Sequence, residues 1–377
     1  MEFLTFTLPS GIRCIHKRVK SAVTHCALTI NTGSRDELSD EHGIAHFVEH
    51  GLFKGTGRRR AFHINSRLEN LGGELNAFTT KEDTTVNAST LKGDFPKAAE
   101  LIADMVFGST FPEHEIERER QVIVDEINSY RDIQQEMLYD SFDELMFAGS
   151  PLGRPIAGTA RSVAKFDSAK LKSFVSRTYT PDQMVFSAIG NVSEKTFRAV
   201  CERCFGTIPA IPAVTAIPAI PAVTAGPVIP VIASIPATSV AEASRVAPVH
   251  LSIASISETS TAQTAPAPPA SPAPPATSAA SAAPIPPAPP APPPTRREFE
   301  RTPPPELVPF EKEVSKRANH QSHCVLGNRA YSLHDDRRLP LSLLVNVLGG
   351  PAANSRLNSV LRERNGLTYN IEANYVP

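Results

Sequence analysis

Two histidines and a glutamate fall within five residues. His46, Glu49 and His50 lie in GIAHFVEHGLFKGT, Gly43 to Thr56. On a helix these are positions i, i+3 and i+4, which project from one face. Two imidazoles one turn apart can bind the same Zn2+, each at about 2.0–2.1 Å. Glu49 shares that face and is placed to deprotonate a zinc-bound water, with no need to bind the ion itself. The bland alternative is three polar side chains that share a helix by chance. Against it, Ile44, Phe47, Val48, Leu52 and Phe53 mark a packed helix, and unpaired polar groups are costly in such a setting.

A catalytic zinc needs a third protein ligand, with the fourth position left for water. The acid-rich stretch after Pro112 offers two candidates, Glu119 and Glu126, seven residues apart and so two turns apart on one helical face. One could complete the metal shell while the other orients a ligand from behind. The competing reading makes the acids of ERERQVIVDEI a solvated face.

These residues need elements to hold them. THCALTINTGS (24–34) alternates apolar and polar side chains and reads as a strand stopping at Gly33. SDEHGIAHFVEHGLF (39–53) follows as the histidine helix, with Ser39 or Asp40 as its cap. Residues 73–90, rich in Thr, Val and Phe, read as a strand or hairpin. Residues 94–107 form an amphipathic helix, and 112–147 one long helix or two in succession. DQMVFSAIGNV (182–192) reads as a buried strand and 193–206 as a last helix. Strands with covering helices make an α+β layered sandwich domain over 1–206.

The rest of the chain changes character. Residues 207–304 are dominated by Pro, Ala, Ser, Thr and Val, and carry much of the chain's 35 prolines. They open with a tandem repeat, IPAIPAVTA at 208–216 and again at 217–225. Proline this dense removes backbone donors and forbids helix and central strand. The expected state is a disordered, partly polyproline II tether. Globular character returns over 305–377. The net charge of −1 gives no bias toward nucleic acid or an acidic membrane surface. No proline-free apolar run is long enough to span a bilayer, and the N-terminus lacks a basic start followed by an apolar run. The expected location is the cytoplasm. Five cysteines, an odd and sparse count, do not make a disulfide framework. Cys201 and Cys204 have redox or zinc spacing, but a lone pair is read more simply as reduced thiols near a helix end.

HFVEH followed by VDEI, with Glu126 76 positions after His50, resembles the M16 inverzincin peptidases, relatives of pitrilysin, insulin-degrading enzyme and mitochondrial processing peptidase. NTGSRDE looks like that family's first core strand and turn, and LGGELNAFTTKEDTTV like the edge strand on which its substrates lie. FSAIGNVSEKTFRAVCERCFG resembles the end of its first domain. Residues 341–375 resemble part of the homologous second domain, of which the chain carries a truncated portion. The resemblance implies His46, His50 and Glu126 as ligands of one zinc per chain, Glu49 as general base, and Glu119 as a support behind the ligands. It implies substrate contacts at Asn76, Ala77 and Phe78 on the edge strand, and at the pair Arg362 and Tyr369. The substrate would be a peptide or unfolded protein segment, and the assembly a homodimer or a heterodimer with a related subunit. The runner-up is a catalytically impaired partner or truncated copy that binds peptide or a sister chain.

Overall fold

The computed structural model describes residues 3–208, 249–257, 301, 304–305, 307 and 322–376. The first domain is built on a six-stranded mixed sheet. Its strands are β1 (Leu4–Thr7), β2 (Arg13–Arg18), β3 (Val23–Ile30), β4 (Glu74–Thr79), β5 (Thr84–Leu91) and β6 (Met184–Gly190). Their spatial order is β1-β2-β6-β3-β5-β4. Only β2 and β6 run parallel; β3 is antiparallel to both of its neighbours. The expected hairpin at 73–90 is β4 and β5, paired from Glu74↔Ser89 to Thr79↔Thr84. Among the described residues no strand lies beyond β4, which is one edge of the sheet.

Period-two alternation points one set of side chains into the core. Cys26, Leu28 and Ile30 of β3, Val86 and Ala88 of β5, and Met184, Phe186 and Ala188 of β6 are buried. Two helices cover that face, α3 (Phe95–Gly108) and α8 (Glu194–Phe205). Phe186 lies 4.6 Å from Phe205 and stacks on Phe197 at 6.1 Å between ring centroids. Cys201 and Cys204 ride on α8 as free thiols.

The histidine helix, α1 (Ile44–Leu52), packs against β4, α4 (Glu113–Asp132) and α7 (Ser168–Thr178). The acid-rich stretch is two helices, α4 and α5 (Gln134–Met146), broken at Ile133, whose extended backbone (φ −89°, ψ 102°) stops the first and caps the second. Sequence periodicity did not reveal β1, β2, α7 or the short helices α2 (Ala61–Glu69) and α6 (Ala160–Val163).

A second, three-stranded parallel sheet has the order β8-β7-β9, with β7 (Val249–Ser257) between β8 (Ser322–Ala330) and β9 (Ile371–Val376). Helix α9 (Arg338–Gly349) packs on β9. Strand β7 lies inside the 207–304 span expected to be a tether, so that expectation fails for these nine residues. VHLSIASIS is free of proline, and Val249, Leu251 and Ile253 alternate with smaller or polar residues. Arg301 and a few flanking residues apart, the remainder of the span, including nearly all of the tandem repeat, lies outside the described residues. The second sheet meets the first domain at α5. Arg329 donates to the Met146 carbonyl at 3.0 Å, Tyr139 donates to Glu372 at 3.4 Å, and Val325 packs on Phe142, Met146 and Phe147. Among the described residues, no helix is long and apolar enough to cross a membrane.

Candidate metal centre

Helix α1 begins one turn later than the sequence suggests. Neither Ser39 nor Asp40 caps it; Asp40 pairs with Lys170 instead. The N-cap is Gly43, at φ 94°, where a Cβ would come within 2.7 Å of the Ala157 carbonyl oxygen. That left-handed backbone and close approach require glycine. The orphan N–H groups of the first turn are satisfied from outside the helix. The buried Glu37 carboxylate accepts from Gly43 and Ala45, each at 3.0 Å. Burial pushes the Glu37 carboxyl up to about 8 against the opposing pull of those two hydrogen bonds.

This start turns His46, Glu49 and His50 toward α4. His46 Nε2 lies 3.8 Å and His50 Nε2 3.5 Å from the two oxygens of the Glu126 carboxylate. Ligand atoms of the three residues all fall within 4.8 Å of one another. Donors held about 2.1 Å from one tetrahedral ion are themselves about 3.4 Å apart. The observed separations fit an ion between them. Among the described residues this is the one such cluster of His, Cys, Asp or Glu.

Glu119, two turns before Glu126, stands behind His50. Its Oε1 accepts from His50 Nδ1 at 2.8 Å and its Oε2 from Lys54 Nζ at 2.5 Å. The first bond fixes the tautomer, leaving a lone pair on Nε2 toward Glu126. Burial would raise the Glu119 carboxyl, but the hydrogen bonds from His50 and Lys54 hold it below its ordinary range. Burial likewise pulls His50 down, and the Glu119 hydrogen bond with the charges of Glu119, Glu126 and Glu49 overcomes it and raises that imidazole. His46 is lowered to about 4, chiefly by burial and then by the charge of His50. It is therefore neutral near pH 7, the state a metal ligand needs.

Glu49 faces the same space without joining the triad. Thr79, the last residue of edge strand β4, donates to Glu49 Oε2 at 2.7 Å. Burial raises the Glu49 carboxyl, with the Thr79 bond pulling the other way. Sequence reasoning missed both Thr79 and Glu37. The only sequence signal for Thr79 is its place at the end of the expected edge strand.

The other expected contacts divide. Asn76, Ala77 and Phe78 lie on β4, Ala77 buried in the core and Phe78 49% exposed, so the strand offers its free side and one aromatic face to a ligand. Arg362, in a π-helical turn, lies over the Tyr369 ring at 5.5 Å, and Tyr369 is 80% exposed. The two touch each other. Among the described residues no hydrogen bond, ion pair or ring contact joins either to the metal cluster.

Residues 14–160 match the family model of insulinase, peptidase family M16. Residues 165–250 and 277–376 match the model described as the peptidase M16 inactive domain. An uncharacterized zinc protease of Mycobacterium tuberculosis is 40% identical over 204 residues, 53% of this chain and 46% of that protein. Mitochondrial-processing peptidase subunit beta of Saccharomyces cerevisiae is 32% identical over 206 residues, 54% of this chain and 45% of that protein. The crystal structure of a protease from Helicobacter pylori superposes with a TM-score of 0.55 at 25% identity, covering 58% of this chain and 53% of that one. These matches span about half the length of each of these proteins. Two models of one peptidase family on consecutive stretches, over a convergent His-His-Glu cluster, place the chain in the M16 zinc-peptidase family.

Proposed function

We propose that the chain is a zinc-dependent endopeptidase acting on peptides or unstructured protein segments. The observation that carries this reading is the convergence of His46, His50 and Glu126, with Glu49 beside them but outside the triad. In it, the imidazole Nε2 atoms and the Glu126 carboxylate hold one zinc ion per chain. A zinc ion there supplies a Lewis acid that polarises a carbonyl and makes water nucleophilic near neutral pH.

The chain's own groups do the rest. Glu119 keeps His50 in the tautomer that can bind metal. Glu49 takes the proton of the attacking water and returns it to the leaving amine nitrogen. Burial suits Glu49 to this, because a raised carboxyl both accepts and releases a proton more readily near neutrality. Thr79 aims the Glu49 carboxylate and ends the strand on which the substrate lies. A peptide added to the free side of β4 is read mainly through its backbone, with Asn76, Ala77 and Phe78 along its path. Arg362 and Tyr369 are the substrate contacts from the second domain. The partner is a second copy or a related subunit.

Cleavage of a quenched unstructured peptide tests the reading. Wild type should cleave it, and Glu49→Gln should lose about 10²–10⁴-fold in kcat with zinc retained. A zinc-loaded wild type that is inert supports the alternative, a partner subunit that binds without turnover.

A further inference from the structure

Arg301 falls within the span whose composition reads as a tether, yet its guanidinium is four-fifths buried against the first domain, its side chain only 18% exposed. It reaches a ledge made by two backbone segments, 31–37 and 80–82. On the first side Nε donates to Asp36 Oδ1 at 3.0 Å, and Nη2 to Asp36 Oδ2 at 2.7 Å and the Asn31 carbonyl at 3.4 Å. On the second side Nη2 donates to the Glu82 carbonyl at 2.7 Å, and Nη1 lies 3.7 Å from the Glu82 carboxylate. The segments are otherwise joined by two main-chain bonds, Ser34 N–H to Thr80 O at 3.1 Å and Arg35 N–H to Lys81 O at 2.9 Å, and by the Arg35–Glu82 ion pair. They approach closely because residue 33 is glycine: a Cβ there would lie 2.4 Å from the Glu82 nitrogen.

The ledge leads to the metal centre by two short paths. One residue beyond Asp36 is Glu37, which caps α1. Three residues before Glu82 is Thr79, which holds Glu49. We propose that Arg301 is a positioning residue: its forked guanidinium clamps the two segments together from within the proline-rich span, and so sets the start of the histidine helix and the aim of Glu49. The catalytic part of this rests on the peptidase reading above. Asp36 is nearly buried, with its side chain 8% exposed, so removing its cation strands a charge in the ledge. Lysine cannot replace the clamp, because one ammonium cannot engage both Asp36 oxygens and two carbonyls in fixed directions.

The full chain tests it, comparing wild type with Arg301→Ala and Arg301→Lys by amide hydrogen exchange, zinc content and peptide turnover. Exchange should quicken at the amides of Ser34, Arg35, Gly43 and Ala45 in both variants, with zinc retained. The fall in kcat should be about 10- to 100-fold with KM within about threefold. Methylguanidinium, but not methylammonium, should restore part of the protection and the rate in Arg301→Ala. Asp36→Asn should give the same pattern, and the double variant should add little to either single one. Wild-type exchange at those four amides in the variants overturns the clamp, and that readout needs no peptidase activity. Faster exchange with unchanged kcat, in a wild type that is active, overturns its link to the reaction. An inert wild type sinks the peptidase reading alone and leaves the clamp to the exchange result. Should Arg301→Ala fail to fold, Arg301→Lys carries the same comparison.

Discussion

His50 shows how much of the site rests on one hydrogen bond. Its Nδ1 is committed to Glu119 at 2.8 Å, and that bond alone decides which nitrogen faces Glu126. Glu119→Gln should weaken zinc binding about 10- to 100-fold, since an amide can present its NH2 to His50 and upset the tautomer. Competition with a chelator measures this, and wild-type affinity in the variant would show that Glu119 does not orient the ligand. Thr79→Val removes the hydrogen bond to Glu49 at nearly constant volume. That bond holds the Glu49 carboxyl down against burial, so the variant should shift the acid limb of the pH–rate profile upward. A profile that stays in place would mean that Thr79 does not face the working base. Spacing made the candidate residues legible, though not their roles. H-x-x-E-H fixes a face, and the seven-residue step from Glu119 to Glu126 fixes a second. Spacing leaves open which glutamate would bind and which would support; the family resemblance implies Glu126 as the ligand, and α4 lies against α1 with the Glu126 carboxylate toward both imidazole Nε2 atoms.

The start of α1 was not legible, for a physical reason. Capping rules look for Ser, Thr, Asp or Asn just before the first turn. Here the cap arrives from Glu37, across a turn at Gly43. Glu37→Ala leaves two buried N–H groups unpaired and should cost about 1–3 kcal/mol of stability for each group left unsatisfied. Glu37 also links stability to pH. Its folded value, about 8, lies above the ordinary 4.5, so the folded state holds the proton more tightly. Its contribution is fully present below about pH 4.5 and is lost as pH rises through about 8. Chemical denaturation between pH 5 and 8 should therefore show wild type losing more stability than Glu37→Gln; parallel curves would show that Glu37 ionises normally. Among the strands, β3 was legible from its alternation, the β4–β5 hairpin from its Thr, Val and Phe, and β6 from the apolar residues of MVFSAIG. Strand β7 was hidden by its proline-rich surroundings, although VHLSIASIS itself contains none.

The whole molecule brings the edge strand β4, Glu49 and the His-His-Glu cluster to one place: the strand's last residue holds Glu49. If substrate adds to β4, recognition runs through alternate backbone groups. Peptides N-methylated at alternate positions should then lose about tenfold in kcat/KM, roughly one net hydrogen bond, while side-chain changes matter less. Equal turnover of methylated and plain peptides would place the substrate elsewhere. Arg362 lies over the Tyr369 ring, and among the described residues neither contacts the cluster, so the substrate contact proposed for them would have to come from the second sheet's side. The family resemblance was legible in both halves, whereas the anchoring of Arg301 was not, because charge returning after a proline run does not reveal its partners. The proposed reaction depends on the metal. Elemental analysis of the purified chain should find close to one zinc per chain in wild type and in Glu49→Gln, and almost none in His50→Ala. A metal-free wild type, or full zinc in His50→Ala, would contradict the account.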